Sequence, residues 1–184
     1  AWARFAAVRT PVIAAVSVVA GAAAADAPSD ARPAPVVVAT ADAAEQAYDA
    51  GVLRILVPAA ATGGRYAVLE LNEAPGYRTP PHVHPGMDES FYALEGTLEL
   101  EVGGTTHTLA AGSYVHIPRG TPHAQGSADD LPVKLLTTFT PGGFEAFFLD
   151  RVELARTVRR GDEEFLPRMM DVVHRHGAWL QPAQ

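Results

Sequence analysis

Through the middle of the chain, short apolar runs alternate with turn-forming residues at close, fairly even intervals. Residues 52–57, 65–72, 91–94, 97–102, 105–109, 114–117 and 133–139 each have the length of a strand and are separated by Gly, Pro and Asp. That spacing predicts an all-β domain, a barrel or a sandwich. In 97–102 the alternation is clean: Leu98, Leu100 and Val102 face the core, while Thr97, Glu99 and Glu101 face water. Gly103-Gly104 then makes the hairpin turn, since the tight primed turns need positive φ. The same alternation places Phe91 and Ala93 on the face of Glu89 and makes an inward row of Val133, Leu135, Thr137 and Phe139. A largely apolar cavity is expected along these strands.

The ends of the chain follow other periods. After Pro141, Phe144, Phe147 and Phe148 recur at helical spacing, and Phe165, Met169 and Val172 or Val173 repeat the pattern. Two amphipathic helices are predicted there, with the Phe stripe packed on the barrel. At the other end, Arg4 and Arg9 precede an apolar run from Pro11 to Ala20 and then small residues through Ala25. This is the pattern of an export signal with cleavage near Ala24 or Ala25, too short for a spanning helix. Residues 26–35 have the composition of a solvated linker, and 36–51 are expected to form a short strand and a helical turn. The expected organisation is a signal segment over 1–25, a linker and N-terminal segment over 26–50, a β-barrel over 51–141 and a helical extension over 142–184. With the signal removed, the protein is expected in the periplasm or outside the cell, with no membrane attachment.

Composition narrows the chemistry. The net charge of −7 and the lack of any Lys/Arg strip argue against nucleic acid as a partner. No cysteine is present, so a metal would be held by nitrogen and oxygen alone.

Donors of that kind cluster in residues 76–96, GYRTPPHVHPGMDESFYALEG. His82 and His84 fall on one face of an extended strand, and Glu89 can return to them if Pro85-Gly86 turns the chain. His123 ends a second glycine-framed segment, GSYVHIPRGTPH. Three imidazoles and a carboxylate suit Fe, Mn, Ni, Co, Cu or Zn better than Ca or Mg. His107 and His116 alternate with inward residues and are read as surface histidines, and His174 and His176 as helix-end cations.

The two segments resemble the paired motifs of the cupin superfamily. Gly76, His82, His84, Glu89 and Gly96 match G-x5-H-x-H-x4-E-x6-G, and Gly112, Pro118, Gly120 and His123 match G-x5-P-x-G-x2-H. Ser127 departs from the family's usual Asn. The resemblance covers about residues 51–141 and is strongest to a bacterial, quercetin-dioxygenase-like branch. It implies a jelly-roll barrel of six to eight strands that holds one divalent transition metal ion through His82, His84, Glu89 and His123. A homodimer is implied as well. The activity expected is a dioxygenase acting on a flavonol-like or other enol or phenol small molecule, with Glu89 taking the substrate proton. The alternatives are a metal-dependent isomerase, lyase or decarboxylase, and a non-catalytic exported binding protein for a small ligand or metal.

Overall fold

The computed structural model describes residues 33–177 and 179–180; the predicted export segment lies outside the described residues. Among the latter, no helix is long and apolar enough to cross a membrane. The strands are β1 (Gln46–Tyr48), β2 (Gly51–Val57), β3 (Ala67–Glu73), β4 (His82–Val83), β5 (Asp88–Glu95), β6 (Thr97–Val102), β7 (Thr105–Ala110), β8 (Tyr114–Ile117), β9 (His123–Ser127), β10 (Val133–Thr140) and β11 (Trp179–Leu180). One sheet runs β1-β2-β3-β10-β5-β8 and the other β11-β4-β9-β6-β7. Two helices, α1 (Glu145–Thr157) and α2 (Phe165–Arg175), follow β10. This is a jelly-roll barrel with a C-terminal helical part.

The core lies between the inner faces of the two sheets. Leu69, Leu71, Phe91, Ala93, Val133, Leu135 and Phe139 bury from the first sheet, and Leu98 and Leu100 from the second. The alternation within β6, β5 and β10 therefore reads the inward faces correctly, and Gly103 and Gly104 turn the β6–β7 hairpin at φ 58° and 76°. Burying one such side chain contributes roughly 1.5–3 kcal/mol.

The short strand and helical turn expected over 36–51 are present as β1 and a turn of 3-10 helix at Thr40–Asp42. Two strands of the barrel differ from expectation. Strand β5 begins at Asp88, three residues ahead of its apolar run. Strand β9 has no apolar run at all: His123-Ala124-Gln125-Gly126-Ser127 is mostly polar or small, yet its first four residues are buried. It is held by pairing with β4 on one side and β6 on the other. A close approach explains its glycine: a Cβ on Gly126 would stand 2.3 Å from the Tyr77 carbonyl oxygen. Ser127, at the family's Asn position, serves the turn beyond β9, donating its hydroxyl to the Leu131 carbonyl at 2.6 Å.

Helix α1 is seated on the β1–β2 corner by a buried ion pair. The Arg151 guanidinium donates to both carboxylate oxygens of Asp49, at 2.8 and 3.0 Å, and to the Tyr77 hydroxyl at 3.1 Å. It also lies 4.7 Å from the centre of the Tyr48 ring. The helices thereby close over one end of the barrel, and this determines the shape of the site.

Candidate metal centre and its cavity

Backbone pairing brings the two histidine segments together. His82 on β4 is the register partner of His123 on β9, and the amide of Gly120 donates to the His84 carbonyl at 2.9 Å. Glu89 enters from β5, which lies between β10 and β8. One donor atom from each of His82, His84, Glu89 and His123 lies within 4.8 Å of the others, the one such group found among the described residues. Donors about 2.1 Å from a shared ion stand at most about 4.2 Å apart, so the cluster needs to tighten by only about half an ångström to hold one.

The protonation pattern fits a cation. The Nδ1 atoms of His82 and His123 each lie 2.9 Å from a carbonyl oxygen, of Pro80 and Thr121 respectively. A carbonyl only accepts, so both Nδ1 atoms carry their protons and a neutral ring then presents an Nε2 lone pair. Two Nε2 atoms converge on one carboxylate oxygen: Glu89 Oε2 is 3.1 Å from His123 and 3.3 Å from His84. With Nδ1 of His123 protonated, its contact with the carboxylate holds where Nε2 carries a proton as well and donates it, or where a metal cation takes the place of that proton. Burial, reinforced by the neighbouring His123, lowers His82 to about 4 and keeps it in the neutral, ligating form. Burial pushes the Glu89 carboxyl up, but the hydrogen bonds from His123 and His84 prevail and hold it at about 2. The four residues could hold a metal ion, and the donor set suits a divalent transition metal.

A cavity of about 270 Å³ opens beside the cluster, lined by His82, His84 and Glu89. It is at the small end of ligand pockets, which run roughly 300–1,000 Å³. Its apolar wall is formed by helices and not by strands: Phe144, Phe147, Phe148, Phe165, Met169 and Met170 line it. The expected lining by Phe91, Ala93 and the β10 row is therefore corrected. Those side chains fill the core, and α1 and α2 fold across the barrel mouth to make the wall. The Phe stripe both packs on the barrel and faces the cavity; the ring of Phe144 stands 4.7 Å from that of His84 and 5.0 Å from that of Phe139.

The opposite wall is polar, with Asp49, Glu73, Tyr77, Gln125 and Arg151. None of these was foreseen. Glu73 was detectable in principle, because the series Ala67, Leu69, Leu71, Glu73 extends the inward face of β3 by one more step. Burial raises Glu73 to about 8, against the pull of Arg151 and Gln125. Between about 4.5 and 8 the folded chain keeps a proton that the unfolded chain releases, so this group removes stability as pH rises. Thermal melts from pH 5 to 8 should show Glu73→Gln gaining on the wild type by several degrees toward the alkaline end. A constant gap would contradict the raised pKa. His107, His116 and His174 are exposed. His176 caps α2 with its Nε2 2.8 Å from Asp150 Oδ2.

A jelly-roll barrel that gathers three histidines and a glutamate beside a cavity defines a class of protein whose barrel could hold a metal ion. Residues 70–139 match the cupin domain family model. It is 32% identical over 95 residues to quercetin 2,3-dioxygenase of Bacillus subtilis, covering 52% of this chain and 28% of that enzyme. It is 35% identical over 74 residues to germin-like protein 5-1 of rice, Oryza sativa subsp. japonica, covering 38% of this chain and 34% of that protein. The chain thus spans about a third of the length of these curated relatives. A crystal structure of an RmlC-like cupin from Shewanella frigidimarina superposes with a TM-score of 0.52 at 17% identity, over 59% of this chain and 93% of that one, and shares the fold.

Proposed function

We propose that the protein is a metal-dependent dioxygenase acting on a flavonol-like or other enol or phenol small molecule. The observation that carries the reading is the junction of the His–Glu cluster with an aromatic- and methionine-lined cavity, which offers a flat, apolar guest with a few oxygens both a wall and a polar end. Similarity to quercetin 2,3-dioxygenase supports the same substrate class. A divalent ion held by His82, His84, Glu89 and His123 would supply Lewis acidity toward substrate oxygens and, if redox-active, electrons toward O2. Both atoms of O2 enter the product of a dioxygenation, so no outside reductant is required.

The residues divide the remaining work. Carbonyl acceptors at Pro80 and Thr121 fix the rings of His82 and His123. Phe144 and Phe147 are stacked at 4.8 Å and present an aromatic face to the guest while excluding water. Glu89 is ionised, buried and held by hydrogen bonds to two histidines, and it is the group placed to take the hydroxyl proton of the substrate. Glu89→Gln should lower the rate of O2 uptake by about 10²–10⁴, with a smaller loss of bound metal; equal losses of both would restrict Glu89 to ligation.

The deciding experiment follows O2 and quercetin together in protein loaded separately with Fe(II), Mn(II), Co(II), Ni(II) or Cu(II). One O2 consumed per quercetin supports the reading. Conversion of quercetin under strict anaerobiosis would replace it with non-redox Lewis-acid chemistry, and no conversion with any of these ions would remove flavonols as substrates.

A further inference from the structure

Glu73 has no part in the chemistry above, and one of its carboxyl oxygens has no partner within the fold. It lies at the end of β3 with 2% of its surface exposed, lines the cavity, and its Oε2 is buried with no hydrogen-bond partner. The groups that act on it, or on which it acts, are Arg151 from α1, Gln125 from β9, Glu89 from β5, Tyr48 from β1 and Tyr77 from the loop after β3. Arg151 already holds Asp49 and the Tyr77 hydroxyl. Gln125 accepts the Thr79 hydroxyl at 3.0 Å and its side chain hydrogen-bonds the Glu73 carboxyl, which leaves Oε2 as the oxygen without a partner. Buried carboxyl oxygens nearly always have a partner, and one without it inside a ligand cavity is explained by a partner that arrives with the ligand.

We propose that Glu73 is a specificity-determining residue whose carboxyl group hydrogen-bonds a hydroxyl of the substrate remote from the oxygen pair at the His–Glu cluster. The inference rests on the phenol or enol reading above and names the member of that class the cavity prefers, a guest with a second, distant hydroxyl. A neutral carboxyl both donates and accepts, matching a hydroxyl, which does the same. A site built to bond a hydroxyl discriminates strongly against the analogue that lacks it.

The test uses the full chain loaded with Zn(II), which is redox-inert, titrated by calorimetry with quercetin and with 3-hydroxyflavone. The latter keeps the adjacent oxygen pair and lacks the other hydroxyls. The wild type should bind quercetin about tenfold more tightly, while Glu73→Leu should reduce that ratio to about one and leave 3-hydroxyflavone within about twofold. Glu73→Gln, whose amide still donates and accepts, should keep most of the ratio. Zinc content should be equal in all three, and the melting temperature of Glu73→Leu should equal or exceed that of the wild type, since an unpartnered acid has been removed. A preserved ratio in Glu73→Leu, equal weakening of both probes, or a variant that melts lower or fails to fold would overturn the role of Glu73 and leave the substrate class standing. Failure of the wild type to bind either flavonol would remove the substrate class, and this inference with it.

Discussion

Replacing His82 and His84 together by alanine should reduce bound metal from near one equivalent to less than about a tenth, as read by elemental mass spectrometry on protein purified without a metal-binding tag. Binding free energies for four-donor sites are on the order of 10 kcal/mol, so removing two donors lowers affinity by about 10³-fold or more. The fold should survive. His82 is half-buried near the end of the second sheet, and His84 is packed against Phe144, outside the core between the sheets. Circular dichroism unchanged beside lost metal is the expected pair of results; metal retained in the double variant would refute the assignment of these ligands.

The second large effect is on stability. Arg151→Ala leaves the Asp49 carboxylate buried without its cation and the Tyr77 hydroxyl without its donor; the Arg and Asp side chains are each only 7% exposed. Breaking a buried pair on one side costs about 3–5 kcal/mol, and urea unfolding should show a loss of that size. Removing both charges, as in Asp49→Leu/Arg151→Met, should recover most of it, because the desolvation penalty of the ions disappears with them. A loss under about 1 kcal/mol in the single variant would mean that the pair behaves as a surface contact and does not anchor α1.

These two predictions differ in how they could be reached. The candidate metal site was legible from sequence because its four donors sit in two short segments at fixed spacing, and strand alternation places such residues without knowledge of the rest of the chain. The Arg151–Asp49 pair was not, since its members are separated by 102 residues and no local pattern joins them. Glu73 lies between these cases. Its inward direction follows from the period of β3, but a lone acid at a strand end gives no sign that it will be covered until α1 is in place. Strand β9 escaped for a related reason: its residues serve the site and not the core, so hydrophobic periodicity, which reports only core-facing residues, does not register it. The cavity wall was misassigned because the strands do face inward as expected, but into a core already filled, while the open end of the barrel is closed by helices later in the chain.

That closure divides the chain into parts that can change separately. The groups that could hold an ion lie within residues 82–123, on or beside β4, β5 and β9 of the two sheets, whereas the aromatic and methionine wall belongs to residues 144–170. Substitutions along α1 and α2 could reshape the cavity without disturbing the His–Glu cluster, and descendants of one ancestor could come to hold different compounds by altering only their last forty residues. Grafting the helices of one such descendant onto the barrel of another would then carry the choice of compound along with them.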